Sequence, residues 1–318
     1  MQRHGDTLRD GASRAVLLDS FGGPEVLTLK DVPEPQAGAG QIRVRVSAAG
    51  LNPMDWFMTA DPETAARFGL SLPCGFGTDY SGVVDQVGAD ASGYALGDRV
   101  FGTALSRAVA DHIVLDANGN IASGIAHRTP DGVDDRTAAT LAIAGSTASA
   151  ALDVLGLGPG DTVLIGGAGG GVGVFAVQLA RIAGARIIGT GSPSSAQYLR
   201  SLGAEPVAYG EGLAGRVRDL GAGTVTAALD LHGTDTVHVA RELEVPDDRI
   251  CTIAGQVHGI PAASGANAAP GALESIARLV EAGRLRVPIA AAYPVEDIRA
   301  AVELQAARHV RGKVVIDL

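Results

Sequence analysis

The sequence predicts an α/β protein in which a doubly wound parallel sheet is inserted into a small antiparallel β-barrel. Three observations predict it. From Arg14 to Leu115, short apolar strands are divided by frequent turn signals. From Pro130 to Ala282, strands and helices alternate, which means a parallel sheet covered on both faces. From Val287 onward the chain returns to its earlier style.

Residues 1–12 are poor in apolar side chains and are expected to form a disordered tail. Strands follow at 15–18 and 27–29, separated by the turn Phe21-Gly22-Gly23-Pro24. A proline and glycine connector over 33–40 leads into 41–49, where Ile42, Val44 and Val46 alternate with polar residues. Further strands are expected at 82–87, 99–101 and 113–115. The barrel-type domain is therefore placed at 13–128 and 289–318, around a second domain at 129–288.

In that second domain, Pro130, Asp134 and Asp135 precede a helical stretch at 137–155 that stops at Gly156 and Gly158. The strongest signal comes next. Thr162 to Ile165 is an apolar run suited to a buried parallel strand. Gly167, Gly170 and Gly173 follow three residues apart, with Gly171 and Val172 between them. Val174, Val177, Leu179 and Ile182 then form a helical pattern, Gly184 stops it, and 186–189 is a second strand.

Strand, glycine turn, helix and strand in this order are the context of a dinucleotide site. Glycine lets the backbone approach a pyrophosphate, and the free N–H groups of the helix's first turn meet its charge. Strands at 206–209, 225–230 and 249–253 and helices at 213–220 and 273–282 continue the alternation. A strand at 287–292, a helix at 294–307 and a last strand at 313–316 close the chain. Ligands of such sheets bind beyond the carboxyl ends of the strands, so a substrate is expected between the two domains.

The totals narrow the function. A net charge of −10 argues against a nucleic-acid or anionic-membrane partner, which would call for a basic patch. Two cysteines, Cys74 and Cys251, cannot build a disulfide framework or a metal cluster and fit a reducing compartment. Residues 1–13 lack the apolar core of a signal peptide, and no run reaches the roughly 20 apolar residues of a membrane span. The cytoplasm is the expected location.

Several motifs resemble one family. They are Phe21-Gly22-Gly23-Pro24-Glu25-Val26-Leu27, Val32-Pro33-Glu34-Pro35 and Ala49-Gly50-Leu51-Asn52-Pro53-Met54-Asp55, then Gly82-Val83-Val84 and Gly97-Asp98-Arg99-Val100. Ala144-Gly145-Ser146-Thr147-Ala148, the glycine turn, Leu202-Gly203-Ala204 and Gly312-Lys313-Val314-Val315 follow in the same order. Together they resemble the zinc-independent quinone oxidoreductase branch of the medium-chain dehydrogenase/reductase superfamily. The resemblance implies a GroES-like barrel with a Rossmann domain, a homodimer, an NADPH cofactor, and a small-molecule substrate: a quinone, or a C=C bond conjugated to a carbonyl.

Zinc is not expected. A catalytic zinc takes about three protein ligands. Where zinc-dependent members carry a cysteine in the first loop this chain has Asn52, and where they carry His-Glu it has Thr78-Asp79. No ligand-type side chain occupies 142–145, and the four-cysteine structural lobe is missing. Without a Lewis acid, oxidation of an ordinary alcohol loses its main means of stabilising an alkoxide.

Cofactor choice is read from the end of the second strand. NAD-preferring domains place Asp or Glu about 20 residues after the glycines. Here the chain reads Gly191-Ser192-Pro193-Ser194-Ser195, without a carboxylate, which favours a 2′-phosphate. Ser192, Ser194 and Ser195 are candidate phosphate donors, or only a polar loop. The family adds Tyr209, and Arg200 is a candidate from the following helix. Relatives commonly carry a lysine near 196 or 197, where this chain has Ala196 and Gln197.

For the chemistry, Asn52 is a candidate donor to developing negative charge, with Asp55 beside it. The alternative is that Asn52 and Asp55 cap a turn before a short helix. Thr147 resembles a cofactor-contacting threonine, or bonds its own helix backbone. His232 is a candidate cleft donor near the nicotinamide, and Gly255 resembles a turn whose backbone meets the carboxamide. Trp56, Phe57 and Met58 either wall an apolar pocket or pack in the core. Many relatives carry a tyrosine in that stretch; this chain has none, and Tyr80 reads as structural. Two rivals stand beside the reductase reading: a biosynthetic tailoring reductase with an atypical substrate, and a non-catalytic NADPH-binding protein.

Overall fold

The computed structural model describes residues 12–120, 122–221 and 223–318. The expected tail lies outside these residues except for Ala12, which already pairs with Pro33 in the first strand. The chain runs β1 (Ala12–Leu18), β2 (Thr28–Pro33), β3 (Gln41–Leu51), α1 (Pro53–Met58), α2 (Pro62–Arg67), β4 (Cys74–Gly75), β5 (Asp79–Val87), β6 (Arg99–Thr103), β7 (His112–Asp116), β8 (Ile125–Arg128) and α3 (Asp135–Ala138). Then come α4 (Ala142–Leu155), β9 (Thr162–Gly166), α5 (Gly171–Ile182), β10 (Arg186–Gly191), α6 (Ala196–Leu202), β11 (Glu205–Ala208), α7 (Leu213–Asp219), β12 (Ala227–Asp230), α8 (Asp235–Glu242), β13 (Ile250–Thr252) and α9 (Ala272–Glu281). β14 (Ile289–Pro294), α10 (Ile298–Ala306) and β15 (Lys313–Asp317) follow.

Two compact units result. One holds the chain up to Thr140, Ala291–Arg308 and Val314–Leu318; the other holds Leu141–Ala290 and His309–Lys313. The first division falls later than the expected 128, because α3 belongs to the barrel. Ser81 Oγ donates to the Asp135 carbonyl at 2.6 Å, and Arg99 pairs with the Asp135 carboxylate. Gly50 makes the approach possible: a Cβ there would lie 2.1 Å from the Ala139 carbonyl oxygen.

The all-β unit is antiparallel. Its larger sheet has the order β14-β15-β3-β5-β6-β8, with β7 also on β3, and its smaller sheet is β2-β1-β4. The backbone bond from Val16 N–H to Val109 O, 2.9 Å, joins the smaller sheet to the chain entering β7. The alternation seen in β3 is real: Ile42, Val44 and Val46 are buried. Tyr80 is fully buried and donates to the Ile125 carbonyl at 3.1 Å, so it pegs β5 to β8.

The second unit is the doubly wound sheet. Its five parallel strands have the order β11-β10-β9-β12-β13, so the chain winds outward from β9, returns to the middle, and winds out the other way. A single bridge, Thr252 to Ala262, starts a sixth position. All five residues of β9 are buried. Leu164, Ile188, Ala228 and Ile250 pack with Leu213, Val217 and Val237 on one face. Val163 and Ile165 point the other way and are equally buried. Each such Leu, Ile or Val side chain contributes about 1.5–3 kcal/mol by leaving water.

The expected helix at 137–155 is two helices. The Thr140 hydroxyl donates to the Thr137 carbonyl at 2.7 Å, competing with the backbone ladder where α3 ends. Among the described residues no helix is long and apolar enough to cross a membrane.

Candidate active site

The glycine turn is held by hydrogen bonds on both sides. Gly167 has φ +70°, its N–H donates to the Thr190 hydroxyl at 3.2 Å, and its carbonyl accepts from Gly170 N–H at 3.0 Å. A Cβ on Gly173 would stand 2.4 Å from the Gly167 oxygen and 2.5 Å from the Ala168 carbonyl. That contact is with backbone, so glycine is required there. The N-cap of α5 is Gly170, which has no side chain to cap the helix. The N–H groups of Gly171, Val172 and Gly173 thus open a helix with no side-chain acceptor supplied, as an anion site requires.

Around this turn the second unit brings several expected residues together. Ser192, Ser194 and Ser195 follow β10 directly: Ser192 Oγ lies 3.0 Å from Ser194 Oγ and 3.2 Å from Ser195 Oγ. Tyr209 N–H bonds the Gly191 carbonyl at 3.4 Å, and its side chain is exposed beside the same strand end. A Cβ on Gly167 would lie 3.3 Å from His232 Cβ, so His232 borders the turn. Gly255 abuts the same loop, with its Cβ position 3.1 Å from Thr234. Arg200 is exposed in the last turn of α6, at the opposite end of that helix from the serines. Thr147 is buried in α4 and its hydroxyl donates to the Ile143 carbonyl at 2.6 Å, the backbone bond foreseen as one alternative.

Four residues escaped the sequence reading. Thr190 supplies the acceptor for Gly167 N–H. Asp230, buried at the end of β12, accepts from His232 N–H and Gly233 N–H, both at 3.0 Å, and from Thr236 N–H at 2.9 Å. An aspartate three residues before Gly233 is an Asx-turn signal that could have found it. Tyr198 and Arg311 carried no local signal at all. Arg311 Nη2 donates to Ser194 Oγ at 2.7 Å, and the Tyr198 hydroxyl is buried with no hydrogen-bond partner among the described residues. Burial pushes the Tyr198 phenol up to about 12, so it stays protonated at neutral pH.

In the all-β unit, Asn52 and Asp55 sit at the start of α1, both almost completely buried. Asp55 Oδ2 accepts from Asn52 N–H at 2.7 Å, and Asp55 Oδ1 from the Thr78 hydroxyl at 2.7 Å. The Asn52 side-chain amide donates to Asp79 Oδ2 at 2.9 Å. The three following residues separate: Trp56 Nε1 donates to Gln305 Oε1 at 3.1 Å, Phe57 is exposed, and Met58 is in the core. Cys74 is half-buried and Cys251 buried, and among the described residues no three His, Cys, Asp or Glu side chains are grouped to hold a metal.

The glycine turn, its uncapped helix and the serine-bearing strand end fit a dinucleotide. The alcohol dehydrogenase GroES-like domain matches residues 38–176, and the zinc-binding dehydrogenase family matches residues 202–316. A quinone oxidoreductase of Pseudomonas aeruginosa is 30% identical over 334 residues, covering 96% of this chain and 99% of that protein.

The chain belongs to the quinone oxidoreductase-like branch of the medium-chain dehydrogenase/reductase superfamily.

As a member of that superfamily it is an oxidoreductase with a dinucleotide-binding fold. It is also 33% identical over 324 residues to NorB, a spectinabilin polyketide synthase system protein of Streptomyces orinoci, covering 93% of this chain and 14% of that protein. Among solved structures, a mycobacterial protein complexed with NADPH aligns with a TM-score of 0.83 at 25% identity, over 96% of this chain and 100% of that one. The CurK enoyl reductase aligns with a TM-score of 0.83 at 25% identity, over 96% of this chain and 99% of that one. The family matching residues 202–316 is described as zinc-binding; Asn52 and Thr78-Asp79 lie outside that span, within the GroES-like match at 38–176.

Proposed function

We propose that this protein is a zinc-independent, NADPH-dependent reductase acting on a quinone or on a C=C bond conjugated to a carbonyl. The observation that carries the reading is the end of β10. Three serines stand there with no carboxylate to repel a 2′-phosphate, beside a glycine turn that leaves helix N–H groups for the pyrophosphate. The mycobacterial relative solved with NADPH supports the cofactor, and the quinone oxidoreductase and enoyl reductase relatives support the substrate class.

When bound, the nicotinamide supplies the hydride. The chain's own residues position it: Thr190 fixes the glycine turn, Asp230 fixes the loop bearing His232, and Gly255 borders that loop. Asn52 and Asp55 act by holding the first loop of the all-β unit in one shape through Thr78 and Asp79. No phenol lies in 52–60, and the Tyr80 hydroxyl is committed to Ile125, so neither supplies the proton.

A second reading, a tailoring reductase for a biosynthetic intermediate, is favoured by the missing phenol and by the likeness to NorB. A panel of quinones, simple enones and enoyl thioesters, followed by NADPH absorbance, separates the two. Turnover of simple quinones or enones supports the first reading. Turnover of thioesters alone supports the second. Tight NADPH binding with no turnover of any acceptor overturns both.

A further inference from the structure

The phosphate end of the proposed cofactor site lacks something. Three hydroxyls are weak partners for a dianion, and Ala196 and Gln197 after them bring no charge. A charge-assisted donor would be about twice as strong as a hydroxyl. The structure brings one in from the far end of the chain. Gly312 N–H bonds the Gly169 carbonyl at 3.1 Å, which fixes residues 309–313 against the glycine turn. A Cβ on Gly171 would come within 3.2 Å of Lys313 Cδ, so the contact is close along its length. This register delivers Arg311 to the serines, with Nη2 2.7 Å from Ser194 Oγ.

Tyr198 completes the cluster. Its ring lies 3.5 Å from the Cβ position of Gly169, and its hydroxyl is a buried donor with no partner among the described residues. Leaving such a group unsatisfied is costly, and a ligand oxygen would satisfy it. Arg311 is exposed and spends one N–H on Ser194, keeping the rest of its fork for an anion.

We propose that Arg311 and Tyr198 are the specificity-determining residues for the 2′-phosphate, Arg311 supplying the positive charge that the loop after β10 lacks. This rests on the NADPH reading above.

The test is direct binding, measured by calorimetry with NADPH, NADH and 2′,5′-ADP on the wild type, Arg311→Ala, Arg311→Lys and Tyr198→Phe. Arg311→Ala is expected to weaken NADPH and 2′,5′-ADP by about 10- to 100-fold and to leave NADH within about twofold. Arg311→Lys keeps the charge without the fork and should recover part of the loss. Tyr198→Phe, which deletes one oxygen, should weaken NADPH by about 3- to 10-fold and leave NADH unchanged. A wild type that prefers NADPH, with the preference unchanged in Arg311→Ala, overturns the assignment of Arg311 and spares the cofactor reading. Equal losses for NADPH and NADH also overturn it, since they mean a structural role. A wild type that binds NADH as tightly as NADPH overturns both. Thermal melting of each variant identifies loss through misfolding, and the exposed Arg311→Lys change keeps the comparison interpretable if Tyr198→Phe unfolds.

Discussion

The glycine turn and the loop at Asn52 are both polar and both irregular, yet they treat their hydrogen-bonding groups in opposite ways. At Asn52 the groups are consumed internally: Asp55 takes the Asn52 N–H and the Thr78 hydroxyl, and Asp79 takes the Asn52 amide. At the glycine turn several of them are left uncommitted. Gly170 offers no cap, the serines bond mainly to one another, and the Tyr198 hydroxyl is left over. A loop that must keep its shape satisfies itself. A surface that must hold an anion leaves donors spare, and glycine makes that possible by removing side chains.

The sharpest test removes a consumer. Asp55→Ala leaves the Asn52 N–H and the Thr78 hydroxyl buried without their acceptor, and is expected to cost about 3–5 kcal/mol. Urea unfolding followed by a probe in the all-β unit measures it; a loss under about 1 kcal/mol would mean the network is not structural.

Next in size is Gly173→Ala, where the added methyl meets backbone at 2.4 Å. It should cost about 1–3 kcal/mol and weaken cofactor binding more than tenfold, because the helix must shift from the turn. Calorimetric titration and thermal melting report both. Gly158→Ala is the counter-case: nothing lies within 4 Å of its Cβ position, so stability should stay within about 0.5 kcal/mol.

A third contrast uses pH. The Thr226 hydroxyl, followed by Gly158 N–H and Arg249, holds the Asp161 carboxyl below its ordinary value of 3.8. A lowered folded pKa adds stability above the unfolded value, which is lost as pH falls through the folded one. Asp161→Asn should therefore destabilise the second unit by roughly 1 kcal/mol at neutral pH, with the difference from wild type shrinking as pH falls below 3.8. Denaturation midpoints across pH 2–7 check the sign.

The sequence was a good guide where a pattern is local. β9, the glycine turn, α5 and β10 are contiguous, and their periods name them. The alternation in β3 likewise showed which face was buried. Helix 137–155 misled because a threonine hydroxyl at Thr140, not a glycine or proline, interrupts it. Site residues followed the same rule. Ser192, Ser194 and Ser195 announce themselves by position after β10. Thr190 and Arg311 meet their partners Gly167 and Ser194 across 23 and 117 positions, and no local spacing encodes such pairs.

Ser194 and Arg311 stand 117 positions apart. During synthesis the serines and the whole glycine turn leave the ribosome long before the residue that bonds them. The turn and its serines are thus translated before the arginine proposed to clasp the same ligand, so the two halves of the proposed phosphate site join only when distant parts of the chain meet.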